Sequence, residues 1–96
     1  MYIDANVFVI AATVPGEEGD AARALLSDVY KGKTAVTSVL AMDEVMWSLR
    51  KCGYGGRTRG IVENIYRIKN LGIREVPSAI ALRALDFMEK FGLKPR

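Results

Sequence analysis

The chain has 96 residues, half of them hydrophobic and 26% charged, with a net charge of +3 and a pI of about 9.2. That is enough for one modest core and excludes a second domain, while the mild basic excess is compatible with a polyanionic partner without demanding one. With no histidine and a single cysteine, Cys52, imidazole chemistry and internal disulfides are excluded; any metal site must use oxygen ligands, which suits Mg²⁺, Mn²⁺ or Ca²⁺, and a reducing, cytoplasmic setting is expected.

In chain order, Tyr2 to Ile10 reads as a buried parallel strand, a short apolar run interrupted by Asp4. Its longest unbroken apolar stretch, Val7 to Ala12, is far too short to cross a bilayer, and with no basic region before it a signal peptide is not expected. Pro15-Gly16 marks a loop. Glu17 and Glu18 open a helix in which Ala21, Ala22, Leu25, Leu26 and Val29 recur at helical spacing, and Gly32 stops it. Thr34 to Thr37 is short and extended, and Thr37 or Ser38 is the expected N-cap of a long helix running to about Lys51. That helix is apolar almost all round and should be buried on more than one side. Cys52-Gly53-Tyr54-Gly55-Gly56 breaks it.

A helix from Arg57 to Leu71 follows, with Ile61, Ile65, Ile68 and Leu71 on one face, and Gly72 ends it. Ile73 to Val76 reads as a second strand closed by Pro77. Ser78 caps a last helix that carries Ile80, Leu82, Leu85, Phe87 and Met88. The expected fold is α/β, a short parallel sheet of two strands with about four helices, in one domain over residues 1–96.

Two acids stand out. A lone carboxylate at Asp4, inside an apolar run, is costly unless paired, neutralised or metal-bound. Glu44 shares a helix face with Leu40 and Trp47. Asp43 lies about a hundred degrees round the helix and cannot point at the same spot. Plainer readings stand beside these. Asp4 can cap a turn, since Asp-x-Asn side chains bond local amides, and Glu44 can be a surface carboxylate with its stem against Trp47. Taken together, the two acids could converge on one divalent cation, which binds phosphate oxygens and activates water. Arg50, Lys51, Arg57 and Arg59 flank the glycine-rich loop that carries Tyr54. They could grip an RNA backbone, or simply be solvated charges on a helix connection. The Met42, Met46 and Trp47 stripe reads as core or dimer surface.

Tyr2-Ile3-Asp4-Ala5-Asn6-Val7-Phe8 resembles the opening strand of PIN-domain ribonucleases, whose pattern is apolar-Asp-x-Asn/Ser-apolar. Thr37-Ser38-Val39-Leu40-Ala41-Met42-Asp43-Glu44-Val45 resembles their second motif, a Thr or Ser opening a helix with a Glu within two turns. The stretch from Ala81 to Leu93 is similar to the helix leading into their third. The likeness is greatest to VapC-like toxins of toxin–antitoxin pairs.

The resemblance implies an endoribonuclease using Mg²⁺ or Mn²⁺. Asp4 and Glu44 would be the catalytic, metal-binding acids, and Asn6 and Ser38 polar supports. RNA would be the substrate, an antitoxin protein the partner, and no membrane would be involved. The family's third acid, usually in Asp-Ala, and a fourth have no counterpart after Lys94-Pro95-Arg96, and Asp86 does not replace them. The expectation is therefore an incomplete PIN-like domain, with the C-terminal part of the fold absent and activity reduced or lost. Since the first strand lies mid-sheet in the family, Ile3 to Val9 would form an open edge and favour a two-fold dimer. One alternative is a non-catalytic PIN-derived fragment serving as an interaction and oligomerisation module. Another is an unrelated small βαβ domain whose two acids are structural.

Overall fold

The structure is a computed structural model that describes residues 1–75. The chain starts extended, and at Tyr2 it forms a single parallel bridge to Val36. Ile3 N–H donates to the Val36 carbonyl and Val36 N–H to the Met1 carbonyl, both at 2.8 Å. Strand β1, Ala35–Ser38, pairs in parallel with β2, Leu71–Arg74, in the register Ala35↔Leu71 to Ser38↔Arg74. Neighbouring residues of a strand direct their backbone groups to opposite edges. Val36 thus serves the N-terminal segment, while Ala35 N–H reaches Asn70 C=O on the other side at 3.1 Å. Among the described residues β1 is the central strand.

The predicted strand from Tyr2 to Ile10 is corrected beyond residue 3. Helix α1 spans Ala5–Thr13, and the Asp4 side chain accepts the Ala5 N–H at 2.8 Å as its N-cap. A short continuous apolar run does not distinguish a strand from a buried helix by periodicity alone. Tertiary contacts decide: Ala5 and Phe8 are buried, and Val7 and Val9 pack against the same core. The Ile3 to Val9 edge expected to pair two chains is therefore absent.

Helix α2, Gly16–Lys31, begins with Glu17 and Glu18 in its first turn and ends at Gly32 with φ of 143°, a conformation that favours glycine. Arg23 anchors it to the end of α1, donating to the carbonyls of Ala11 and Val14 at 3.0 Å each while pairing with Asp20.

Helix α3, Val39–Lys51, leaves β1 directly, with Ser38 rather than Thr37 as its cap. It was expected to be buried on more than one side. Instead Ala41, Met42, Val45 and Leu49 are buried, while Val39 and Trp47 are exposed.

The predicted helix from Arg57 to Leu71 divides. A 3-10 turn, Gly55–Arg57, leads into α4, Thr58–Tyr66. Asn70, with φ of 67°, turns the chain into β2 and donates to the Val29 carbonyl at 3.1 Å. Leu71 and Gly72 therefore belong to the strand, where pairing with Ala35 and Val36 outweighs the helical spacing of Leu71. The expected helix after Ser78, with the end of the predicted strand at Val76, lies outside the described residues. Among the described residues the observed class is a small α/β fold with a two-stranded parallel sheet and four α-helices, although the N-terminal elements differ from those expected.

Phe8, Ile3, Met42, Leu49, Val29 and Val45 fill the core. Helix α1 packs on α2 and α3, and α3 on α4. Gly19 is buried where α2 passes the end of α1, and a Cβ there would overlap the Val14 carbonyl. Gly60, in α4, faces open space. Gly19→Ala should destabilise by about 1–3 kcal/mol through overpacking, whereas Gly60→Ala should stabilise by roughly 0.4–1 kcal/mol. Urea unfolding of the two variants checks this pair, and equal effects would refute the close approach at Gly19.

Candidate functional site

The site begins with the parallel alignment of two chain segments. Because Met1–Ile3 and β1 run the same way, their carboxyl ends lie side by side, and each leads at once into a helix. Asp4 caps α1 and Ser38 caps α3, whose Ala41 N–H donates to Ser38 Oγ at 3.0 Å. Two side-chain bonds tie the segments together. The buried Thr37 hydroxyl donates to the Ile3 carbonyl at 2.8 Å, next to Asp4. Tyr2 Oη lies 3.2 Å from Ser38 Oγ. Two helix N-termini, each with amides directed outward, thus open at one end of the sheet, the place where α/β folds collect ligands.

Asn6 is exposed in the first turn of α1. Glu44 lies six residues beyond Ser38 on α3, roughly 9 Å along the helix axis, and is half-buried, with Asp43 exposed beside it. The strand ends thus bring Asp4 and Ser38 together, and α3 carries Glu44 away from the same point. Among the described residues no three His, Cys, Asp or Glu side chains gather as a metal-holding group.

The basic residues separate into different surroundings. Arg50 and Lys51 close the last turn of α3, and Lys51 Nζ lies 5.1 Å from the centre of the Trp47 ring. Arg57 lies 6.0 Å from the Tyr54 ring. Arg59 is almost fully exposed and pairs with Glu63 at 3.0 Å, so part of its charge is already answered on its own helix. The Met42, Met46 and Trp47 stripe also divides: Met42 is buried, Met46 half-buried and Trp47 40% exposed.

Thr37 and Tyr2 were not singled out as site residues. Thr37 drew notice only as a cap, and its actual role depends on a pairing between residues 34 positions apart. Nothing local in the sequence signals such a bond.

The PIN-domain family profile matches residues 1–96. The chain belongs to the PIN-domain family. Neither the curated proteins nor the solved structures give a match. A nuclease-type function goes with membership of the PIN-domain family, and PIN domains are generally dependent on divalent metal ions. No helix among the described residues is long and apolar enough to cross a membrane.

The Thr37 bond gives a direct test of this architecture. Thr37→Val keeps the shape and removes the donor to Ile3, which should cost about 1–3 kcal/mol. Tyr2→Phe, at an exposed position, should cost under about 1 kcal/mol. Denaturant midpoints of the two variants measure the difference, and an unchanged midpoint for Thr37→Val would mean the two segments do not rely on this bond.

Proposed function

We propose that this PIN domain is a metal-dependent endoribonuclease, the toxin of a toxin–antitoxin pair. The observation that carries this reading is the pairing of Met1–Ile3 with β1, which sets Asp4 and Ser38 at adjoining strand ends beneath the helix that bears Glu44. The donor chemistry fits a hard cation, because both acids offer carboxylate oxygens. Mg²⁺ in particular is commonly held by one or two carboxylates together with substrate phosphate and water. When bound, Mg²⁺ or Mn²⁺ would anchor a phosphate oxygen and lower the pKa of water.

The chain's own residues do the rest. Asp4 and Glu44 supply negative charge to hold the ion. Asn6 and Ser38 orient the phosphodiester through polar contacts, and Arg50, Lys51 and Arg57 draw the RNA backbone towards the acids, with Arg59 contributing through the charge Glu63 leaves it. A protein partner belongs to this reading. Phe8, Ala11, Leu26, Ile61, Ile65 and Ile68 line an apolar groove of about 260 Å³, with Arg57 and Asn64 at its polar positions, and it suits an antitoxin segment or a second copy of the chain. The same groove favours one alternative: a non-catalytic interaction and oligomerisation module.

Asp4→Asn isolates the charge from the fold, because asparagine caps a helix about as well as aspartate. Titrating Mn²⁺ into the chain by calorimetry should show weak binding that is lost in Asp4→Asn and in Glu44→Gln. Binding unchanged in both would remove the shared metal site. A mixed RNA pool should be cut slowly with Mg²⁺ or Mn²⁺, and by at least about 100-fold less after either substitution, since small misplacements alone can cost that much. Cleavage that survives both substitutions would overturn the assignment. No cleavage, with tight capture of a cognate small protein, would favour the interaction module.

A further inference from the structure

The parallel pairing of β1 with β2 brings two entry loops together at the end of the sheet opposite Asp4 and Ser38. Ala35 is in register with Leu71, Ala35 N–H donates to the Asn70 carbonyl at 3.1 Å, and Asn70 Nδ2 donates to the Val29 carbonyl at 3.1 Å. The end of α2 with residues 31–34 therefore lies beside the end of α4 with residues 67–70. Lys31 and Lys33 stand on the first, Arg67 and Lys69 on the second, and all four are exposed. Lys69 Nζ lies 5.8 Å from the centre of the Tyr30 ring, a contact that joins the two loops. Tyr30 and Tyr66, near the end of each helix, are 53% and 55% exposed.

The charge at this end is not answered locally. Among the described residues the ion pairs are Arg23 with Asp20 and Arg59 with Glu63, so Lys31, Lys33 and Arg67 pair with no carboxylate. Asp28 is exposed on the turn before Lys31, and Glu63 is taken by Arg59. One carboxylate against four cations leaves the surface positive. Helix C-termini attract cations, which accounts for Lys31 and Arg67, but that effect fades within the last turn and does not account for Lys33. We propose that these loops form a second RNA-holding face, remote from the acids, in which Lys31, Lys33 and Arg67 take phosphates and Tyr66 stacks a base beside the Tyr30–Lys69 pair. It rests on the ribonuclease reading for RNA as the substrate and adds a grip away from the cleavage point. Cations alone would accept any polyanion, whereas rings set among them favour a polymer that alternates phosphates with flat bases. The four residues of β1 span about 13 Å. Even at a stacked spacing of about 3.4 Å per nucleotide, a strand of about 12 nucleotides reaches both ends of the sheet.

The full chain, in chelator to prevent cleavage, is titrated into a labelled single-stranded RNA of about 12 nucleotides, within the usual site range for such proteins. Anisotropy is read over a series of salt concentrations. Lys31→Gln, Lys33→Gln and Arg67→Gln should each weaken binding and flatten the plot of log affinity against log salt by about 0.7 of a unit of slope, the share of one phosphate contact. Lys33→Arg should keep the slope of the unaltered chain, which separates lost charge from a disturbed fold. Tyr66→Ala should weaken binding about 5- to 100-fold, the effect of one stacked base, without changing the slope, and Tyr66→Phe should retain most of the affinity.

RNA bound with an unchanged slope in all three charge variants would overturn this face and leave the ribonuclease reading standing. Polyglutamate bound as tightly as RNA, and lost in the same variants, would overturn it in favour of an acidic protein partner. RNA binding that falls in these variants, in a chain that cuts no RNA with Mg²⁺ or Mn²⁺, would support the face while the catalytic reading fails. No RNA binding by the unaltered chain would overturn the face together with the RNA part of the proposed function.

Discussion

The candidate site depends on one constraint, the parallel attachment of the first three residues to β1. Two backbone bonds to Val36 set the register, and the Thr37 hydroxyl bonded to the Ile3 carbonyl holds it from the interior. Had the segment paired antiparallel, its carboxyl end would meet the start of β1 and Asp4 would sit at the far end of the sheet from Ser38. The buried threonine is well suited to this task. Its methyl group fills core volume while its hydroxyl answers a carbonyl that would otherwise lose a partner inside the protein.

Asp4 and Ser38 each have an observed structural role and a place in the proposed site. Both are helix caps, which accounts for their residue types without any appeal to catalysis. Both also lie where two helix N-termini open together, and a carboxylate has lone pairs on two oxygens, so capping through Oδ1 is compatible with holding a cation. The plain and the chemical readings of Asp4 thus describe the same side chain. What favours the chemical one is the neighbourhood: a second cap at the adjoining strand end, Glu44 on the helix that starts there, and membership of a nuclease-type family.

Helix α3 ties the strand ends to the core. Its buried residues join Ile3, Phe8 and Val29 in one core, which fixes the direction in which the remaining side chains project. On its other side Glu44 is half-buried and Trp47 is 40% exposed, and the Lys51 ammonium over the Trp47 ring belongs to the same turn that carries Arg50. Arg57, in the 3-10 turn, lies by the Tyr54 ring, and Arg59, in α4, pairs with Glu63.

Much of this was legible in the sequence. The α2 helix and its Gly32 stop, a cap at Thr37 or Ser38, the long α3 and the parallel α/β class follow from spacing, capping chemistry and punctuation, all of which act within a few residues. Asp4 and Glu44 were singled out because a carboxylate in an apolar run is costly when buried; in the fold Asp4 stands exposed as a helix cap and Glu44 is half-buried. The N-terminal run was misread because Ala5 to Thr13 offers no polar alternation, and its helix forms where Asp4 can cap it and Phe8 can reach the core. Leu71 and Gly72 were claimed for a helix until the ladder to β1 drew them into a strand. The sequence by itself therefore determined the local elements and the residue types available for chemistry. Only the tertiary structure decided which face of α3 is buried, which strand is central, and that Asp4 and Ser38 adjoin. Each of those depends on contacts between residues far apart in the chain, for which no local pattern exists.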